Sequence, residues 1–247
     1  MTPPNIPDGE WRTLLREGAS ALALSLSEAE LDSFVAHYHL LLRDNDRAGL
    51  TSITDPAAVA VKHFLDSLTG LLVREIAPHE RVADIGSGAG FPGLVLAVAR
   101  PAARYCLVEA TGKKVAFLAA AAEALALRNV EIVSSRVEEV GQHASYRETC
   151  DLVVSRAVAP LPVVLEYGLP LTRVGGQLIA YKGPEAERQV ADSGAALKAL
   201  GGEVRTLKAV SLPRAMGERV LVLVEKTAPT PPAYPRRPGI PAKRPLA

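Results

Sequence analysis

Ten residues, Asp84-Ile85-Gly86-Ser87-Gly88-Ala89-Gly90-Phe91-Pro92-Gly93, supply both the polar groups and the missing side chains that a bound ligand would need. They follow the apolar Val82-Ala83 and precede the apolar Leu94 to Ala99, so they read as the end of a strand, a glycine turn and the start of a helix. Glycine lets the backbone approach a ligand where a Cβ would collide, and the helix that follows aims its N-terminus at the same place. A nucleotide-like ligand is implied. Counted from Gly86, the dinucleotide fingerprint needs its third glycine where Phe91 stands. Gly88, Gly90 and Gly93 do fit that spacing, but they begin two residues late and put Pro92 where the helix should already pack on the strand.

Asp84 adds an acid two residues before Gly86, and acid-x-Gly-x-Gly-x-Gly resembles the first motif of the Rossmann-like S-adenosylmethionine-dependent methyltransferases. A carboxylate there suits a cationic, zwitterionic cofactor, whose ammonium it can orient, and would repel a diphosphate. Ala103 to Val108 reads as the next strand and ends in Glu109, roughly 20 residues beyond the turn, where an acid can accept both ribose hydroxyls. Enzymes that use NAD share that device, so Glu109 supports an adenosine ligand without choosing between the two.

The acceptor chemistry is narrowed by what is missing. Enzymes that methylate exocyclic amines of bases carry an Asn/Asp/Ser-Pro-Pro-aromatic motif after the fourth strand, and this chain has Ser155-Arg156-Ala157-Val158 there. Methylation at pyrimidine carbon 5 needs a cysteine nucleophile, yet Cys106 falls inside the second strand and Cys150 just before the fourth. An acceptor needing little proton transfer remains, of which guanine N7 is one: its lone pair is free at neutral pH. Catalysis then reduces to in-line placement and exclusion of water, with no general base and no metal expected.

These residues need a frame to hold them. Residues 10 to 24 and 28 to 43 read as helices, the second with Leu31, Phe34, Val35, Tyr38, Leu41 and Leu42 on one face and a Ser27/Glu30 capping box at its start. Asp55-Pro56 opens a third helix over about 56 to 73. From residue 81 strands and helices alternate, with strands near 81–85, 103–108, 130–134, 151–155, 176–181, 203–210 and 219–225 and helices such as 113–127 and 185–200 in the first five gaps. The last two strands leave no room for a crossover helix and should pair as an antiparallel hairpin. The expectation is an α/β fold: a Rossmann-like class I S-adenosylmethionine-dependent methyltransferase with a seven-stranded, mostly parallel sheet and an antiparallel C-terminal hairpin. Three parts are expected: a helical N-terminal segment (1–75) packed on the core, a methyltransferase domain (76–226) and a Pro-rich basic tail (227–247). The tail holds seven prolines, four basic residues and no acid, a composition that opposes regular structure and suits contact with phosphates or simple solubility.

At 247 residues and 48% apolar composition the chain has material for one large domain with appendages. Two cysteines without metal-ligand spacing point to a reducing compartment, and Met1 to Asn5 lacks the basic start and apolar core of a leader. No apolar run approaches the ~20 residues of a membrane span. A soluble, cytoplasmic, monomeric protein is expected, with no membrane association. Lys and Arg (28) nearly balance Asp and Glu (27), so net charge offers no independent support for nucleic-acid binding.

Several short stretches together carry a more specific resemblance: Val61 to Leu68 (VKHFLDSL), the turn from Asp84 to Gly93, Ser135-Arg136-Val137-Glu138-Glu139, Ser155-Arg156-Ala157, Lys182-Gly183 and Tyr234 to Gly239 (YPRRPG). In order and spacing the chain resembles the bacterial 16S ribosomal RNA guanine-N7 methyltransferases of the RsmG (GidB) family over nearly its whole length. The resemblance implies methyl transfer from S-adenosylmethionine to N7 of guanine 527 in the 530 loop of 16S rRNA, on naked RNA or the small ribosomal subunit. It implies a cofactor site of Asp84, Gly86, Gly88, Gly90, Phe91, Glu109, Val137, Glu138 and Arg156, with Val137 and Glu138 beside the adenine and Arg156 positioning cofactor and base. Arg136, Lys182, Arg219, Arg236 and Arg237 are the candidate RNA contacts, and His63 and Asp66 lie on a helical face near the cleft as support for the pocket. Two departures stand out: Gly49-Leu50-Thr51 where many members have Asn-Leu-Thr, and Glu109 where others carry Asp. The alternatives are a methyltransferase of this fold acting on another RNA or a small molecule, a nucleotide-sensing or RNA-binding module without catalysis, and an NAD-linked dehydrogenase. The last would need a substrate domain, and fewer than 30 residues follow the final strand.

Overall fold

Seven strands form one sheet in the computed structural model, which describes residues 6–246. Met1 to Asn5, read above for the absence of a leader, and Ala247 lie outside the described residues. The strands are β1 (Arg81–Ile85), β2 (Arg104–Glu109), β3 (Val130–Ser134), β4 (Cys150–Arg156), β5 (Thr172–Lys182), β6 (Gly202–Ser211) and β7 (Glu218–Lys226). Their order is β3-β2-β1-β4-β5-β7-β6, with β1 to β5 parallel and β7 antiparallel to both β5 and β6. The expected hairpin is present; that its second strand inserts between β5 and β6 is a feature of tertiary pairing. Because β1 lies between β2 and β4, successive crossovers leave in opposite directions there, and a crevice opens at the carboxyl ends of β1 and β4.

Helices α1 (Asp8–Ala21) and α2 (Glu28–Ala48) precede a third helical run, α3, over 56–72. The Ser27/Glu30 capping box forms, with Ser27 Oγ accepting from Glu30 N and Glu30 Oε2 accepting from Ser27 N at 2.7 Å. Helix α2 runs beyond the expected end at residue 43 and stops at Gly49, whose φ of 61° is the left-handed cap conformation. Asparagine also tolerates that conformation, so Gly49 in place of Asn conserves the backbone. Asn45 then orders the following turn, its Oδ1 accepting from Leu50 N and Thr51 N. Within α3 the chain widens into a π-helical turn over Ala60–Leu65, a geometry frequent at functional sites.

The crossovers carry α4 (Gly93–Ala99), α5 (Gly112–Ala124), α6 (Val137–Gln142), α7 (Leu161–Gly168) and the pair α8 (Ala186–Ala191) and α9 (Gly194–Leu200). The single helix expected over 185–200 is broken because Ser193 turns its hydroxyl back to Gln189 O at 2.6 Å and Gly194 follows. One apolar core unites α1 to α3 with one face of the sheet: Trp11 stacks on Tyr38 at 4.5 Å and meets Phe64 edge-on at 5.1 Å, in a cluster continuous with Val82, Leu107 and Ile179. The N-terminal helices therefore share the sheet's core. The other face packs Val108, Val153, Leu165 and Leu178 under α6 to α9.

The C-terminal stretch, whose composition opposes regular structure, is anchored by tertiary contacts. Residues 227–246 lie against the body, with Thr230, Pro235 and Pro241 buried and a short helix, α10 (Ile240–Lys243), near the end. Proline removes local donors, leaving carbonyls that distant side chains satisfy: Arg147 donates to Thr230 O, Pro231 O and Tyr234 O, and Gln142 to Pro232 O and Pro235 O. Among the described residues no helix is long and apolar enough to cross a membrane.

Candidate active site

The glycine turn leaves β1 as expected and is held open by backbone conformations that side chains resist. Gly86 has φ +72°, and a Cβ on it would lie 2.6 Å from Val158 Cγ2. Gly93 donates its N–H to Asp84 Oδ2 at 2.9 Å so closely that a Cβ there would meet that oxygen at 2.5 Å. Asp84 is thus both strut and candidate ligand. Its other oxygen, Oδ1, is buried and has no hydrogen-bond partner among the described residues. Burial pushes the Asp84 carboxyl up to about 7, although the Gly93 N–H works in the opposite direction.

Glu109, at the end of β2, is buried and binds the turn from the other side, accepting from Gly88 N at 3.0 Å and Thr111 N at 2.7 Å. Each carboxylate oxygen keeps a further lone pair for a ribose hydroxyl. The crevice beside Glu109 is about 250 Å³ and is lined by Gly86, Glu109, Val137, Glu138, Val158 and Ala242 among others. A larger hollow of about 580 Å³ lies at the opposite strand ends, around Arg81, Arg104 and Arg128, away from the turn. The strand-end crevice is the candidate because the glycines, the two acids and the crossover reversal meet there.

Phe91 is 6% exposed and lies between two imidazoles, His37 at 4.8 Å and His63 at 4.7 Å, with the Arg156 guanidinium 5.4 Å from its ring centre. It therefore fixes the floor of the turn more than it lines an open wall. His37 reaches from α2 to the turn, where its Nε2–H donates to Ala89 O at 2.9 Å, a tautomer set by the carbonyl's inability to donate. Burial drives the His37 imidazole down to about 4, so it is neutral at pH 7.

That neutrality has a consequence for stability. A group whose folded value is depressed contributes fully above its ordinary value, here 6.5, and loses the contribution as pH falls through about 4. At pH 5 the loss attributable to His37 is about 2 kcal/mol. Asp84, raised by burial, works with the opposite sign, favouring the fold at low pH and losing that as pH rises toward about 7. Comparison with a His37→Gln variant separates the two: in urea unfolding at pH 7 and pH 5, the variant should lose less stability between the two pH values than the parent. An equal loss would mean that His37 is charged in the fold.

Arg156, at the end of β4, is 9% exposed at its side chain and crosses to the π-helical turn of α3. Its NH1 donates to Lys62 O at 2.7 Å and Asp66 Oδ2 at 2.8 Å, and its NH2 lies 3.3 Å from His63 Nδ1. Arginine only donates, so His63 accepts at Nδ1 and gives its Nε2–H to Thr51 Oγ1 at 2.8 Å. Burial first, and Arg156 second, hold His63 down to about 3. Asp66 is fully buried and pairs with a second arginine, accepting from Arg219 Nε and NH2, each at 2.6 Å. His63 and Asp66 each bind Arg156, and neither is part of an exposed helical pair. Adjacent Ser155 Oγ is buried with no partner among the described residues.

Three of the five expected RNA contacts already have partners within the fold. Arg219 is committed to Asp66, Arg236 to the fully buried Glu166 at 2.5 to 2.9 Å, and Lys182 is buried with its ammonium donating to Ala159 O. Burial lowers the Lys182 ammonium to about 8, and its contact with Ala159 O turns it away from solvent. Arg136 and Arg237 are exposed and form no ion pair among the described residues. Glu138 is buried, and its Oε1 accepts from Gly239 N at 2.8 Å. Cys106 and Cys150 are free and buried, and burial raises their thiols to about 12 and about 11, which suits structural packing.

Several residues at the site have no motif of their own: His37, Thr51, Ser155, Val158 and Tyr167. Thr51, Ser155 and Val158 stood in stretches quoted above, whereas His37 and Tyr167 are placed by tertiary packing alone.

Comparison with known proteins follows the same line. A family model described as "rRNA small subunit methyltransferase G" (GidB) matches residues 30–219. Curated relatives called ribosomal RNA small subunit methyltransferase G include those of Symbiobacterium thermophilum (41% identity, 96% of this chain and 98% of the relative), Moorella thermoacetica (43%, 94% and 97%) and Roseiflexus castenholzii (44%, 92% and 97%). Among solved structures, the 16S rRNA (adenine(1408)-N(1))-methyltransferase from Catenulisporales acidiphilia aligns with TM-score 0.51 at 16% identity, over 62% of this chain and 90% of that one. The precorrin-6y C5,15-methyltransferase from Geobacter metallireducens aligns with TM-score 0.50 at 14%, over 74% and 96%. At such identities these structures speak for the fold alone.

Proposed function

The chain belongs to the rRNA small subunit methyltransferase G family, and from that premise we propose that it transfers a methyl group from S-adenosylmethionine to N7 of guanine 527 in the 530 loop of 16S rRNA. The observation that carries the reading is the unpartnered, buried Asp84 Oδ1 at the foot of the glycine turn. A buried carboxylate oxygen without a donor is costly, and the ammonium of a zwitterionic cofactor would satisfy it where a pyrophosphate could not. Glu109 at the end of β2 fits the ribose, and the backbone of Val137 and Glu138 on the far wall fits the adenine edge.

When bound, the donor supplies an electrophilic methyl carbon on a sulfonium. The guanine N7 lone pair forms the new bond to that carbon as the carbon–sulfur bond breaks, so no proton has to be removed. The protein's work is accordingly placement. Arg156, pinned by Asp66 and Lys62 O and packed over Phe91, presents a fixed cation beside the glycine turn that orients the incoming base and its phosphate. Neutral His63 holds that cation in place without competing as a charge. RNA phosphates fall to exposed, unpaired basic side chains, Arg136 at the crevice and Arg237 in the C-terminal stretch.

Radiolabelled S-adenosylmethionine, incubated with the protein and with small and large subunits from cells lacking the modification, should label 16S rRNA and leave large-subunit rRNA unlabelled. Labelling of both, or of neither, would overturn the assignment.

A further inference from the structure

The C-terminal stretch 227–246, which composition marks as a loose basic tail, ends at the cofactor crevice. Ala242 in α10 lines it together with Gly86, Glu109 and Val137. The path there is built in three steps. At its start, Arg147 binds three of its carbonyls while Thr230 Oγ1 donates to Leu200 O at 2.9 Å. Next, Pro235 packs on Gly141 of α6 so closely that a Cβ on that glycine would lie 2.8 Å from Pro235 Cγ. Finally, Arg236 and Gly239 engage two buried carboxylates on the helices that flank the crevice.

Those two acids define the role of the segment. Glu166 of α7 is fully buried, and it is met by the Arg236 backbone N–H at 2.9 Å and by the Arg236 guanidinium. Glu138 of α6 is 4% exposed and is met by Gly239 N–H at 2.8 Å. Gly239 has φ +80° with open space around its Cβ position, so glycine there serves the backbone direction that aims the N–H. Buried carboxylates are retained where they are paired, and here the segment supplies the pairing.

We propose that residues 227–246 form a strap that completes the wall of the crevice at its adenine end, and that Glu138 is the latch for that strap, its carboxylate turned to Gly239 and away from the adenine. The strap holds α6 in register, so the Val137–Glu138 backbone is preset to meet the adenosine half of the donor. Ala242 supplies a small side chain on the facing surface. The role of the strap is thus to position the cofactor, and it rests on the reading of this crevice as the S-adenosylmethionine site.

The test uses calorimetry with S-adenosylhomocysteine and with 5′-methylthioadenosine, which carries the adenosine half without the amino acid. Two variants are compared with the full chain: a chain ending at residue 235, which keeps the Arg147 anchor and loses the latch, and Ala242→Leu, which adds bulk at the crevice and removes no hydrogen bond. Both variants should raise the Kd for both ligands by a common factor of about tenfold or more. Turnover at saturating donor should change far less in both, and so should the KM for RNA in Ala242→Leu, which keeps Arg237. If the shortened chain fails to fold by circular dichroism, Ala242→Leu decides alone. A folded variant that binds both ligands as the parent does, or that weakens S-adenosylhomocysteine alone, would overturn the strap. Failure of the parent itself to bind S-adenosylhomocysteine would instead overturn the cofactor reading.

Discussion

Gly86→Val should abolish donor binding while leaving a folded protein. The residue has φ +72°, a region that a β-branched side chain resists by roughly 1–2 kcal/mol, and its Cβ would already clash with Val158 Cγ2 at 2.6 Å. Relief of that clash pushes Val158 or the turn itself into the crevice that both residues line. The strain is small beside the stability of a domain of this size, whereas the lost space lies where the ligand must sit. A Kd for S-adenosylmethionine raised by about 100-fold or more, equivalent to about 2.7 kcal/mol, is expected by calorimetry with little change in the circular dichroism spectrum. Full affinity in this variant would place the donor elsewhere on the molecule.

The second large effect separates two residues that touch. Arg156→Ala should reduce turnover by about 100-fold, the scale of a misplaced reacting group, with a modest loss of stability. Asp66 keeps its paired contacts with Arg219 when Arg156 is gone, so no charge is stranded. Asp66→Ala, which also frees Arg156, is expected to differ by a large loss of stability. It strips both guanidiniums of their carboxylate in a site where Asp66 is fully buried, and breaking such a network costs about 3–5 kcal/mol. Urea unfolding and single-turnover kinetics on the two variants give the contrast directly. A comparable stability loss in both, or unchanged turnover in Arg156→Ala, would reduce Arg156 to a structural ion pair.

What could be read in the sequence was local. The glycine turn, Asp84 and Glu109 announce themselves because strand, turn and helix start are contiguous, and their chemistry depends on spacing. The Ser27 capping box and the strand limits are legible for the same reason. Burial is a property of the whole fold, and it is what changed the meaning of the basic residues. Lys182, Arg219 and Arg236 look alike in a sequence, yet each is turned inward to a carbonyl or a buried acid that lies 23, 153 and 70 positions away. His37 gave no signal at all, since its partner Ala89 is 52 residues distant and reaches it only when α2 packs across the turn. The tail misled through composition: proline density does oppose regular structure, but the carbonyls it frees become handles for Arg147 and Gln142. The Asn-to-Gly departure at position 49 likewise gains its sense only from the left-handed cap.

The most direct measurement is to locate the transferred methyl group. Undermethylated small subunits labelled with radioactive donor would be stripped to 16S rRNA and cleaved chemically at 7-methylguanine. A single new break at guanine 527 of the 530 loop, with all the label released alongside the excised base, is the predicted result. Label that resists this cleavage, or that maps to any other nucleotide, would contradict methylation of an unprotonated purine nitrogen at this site.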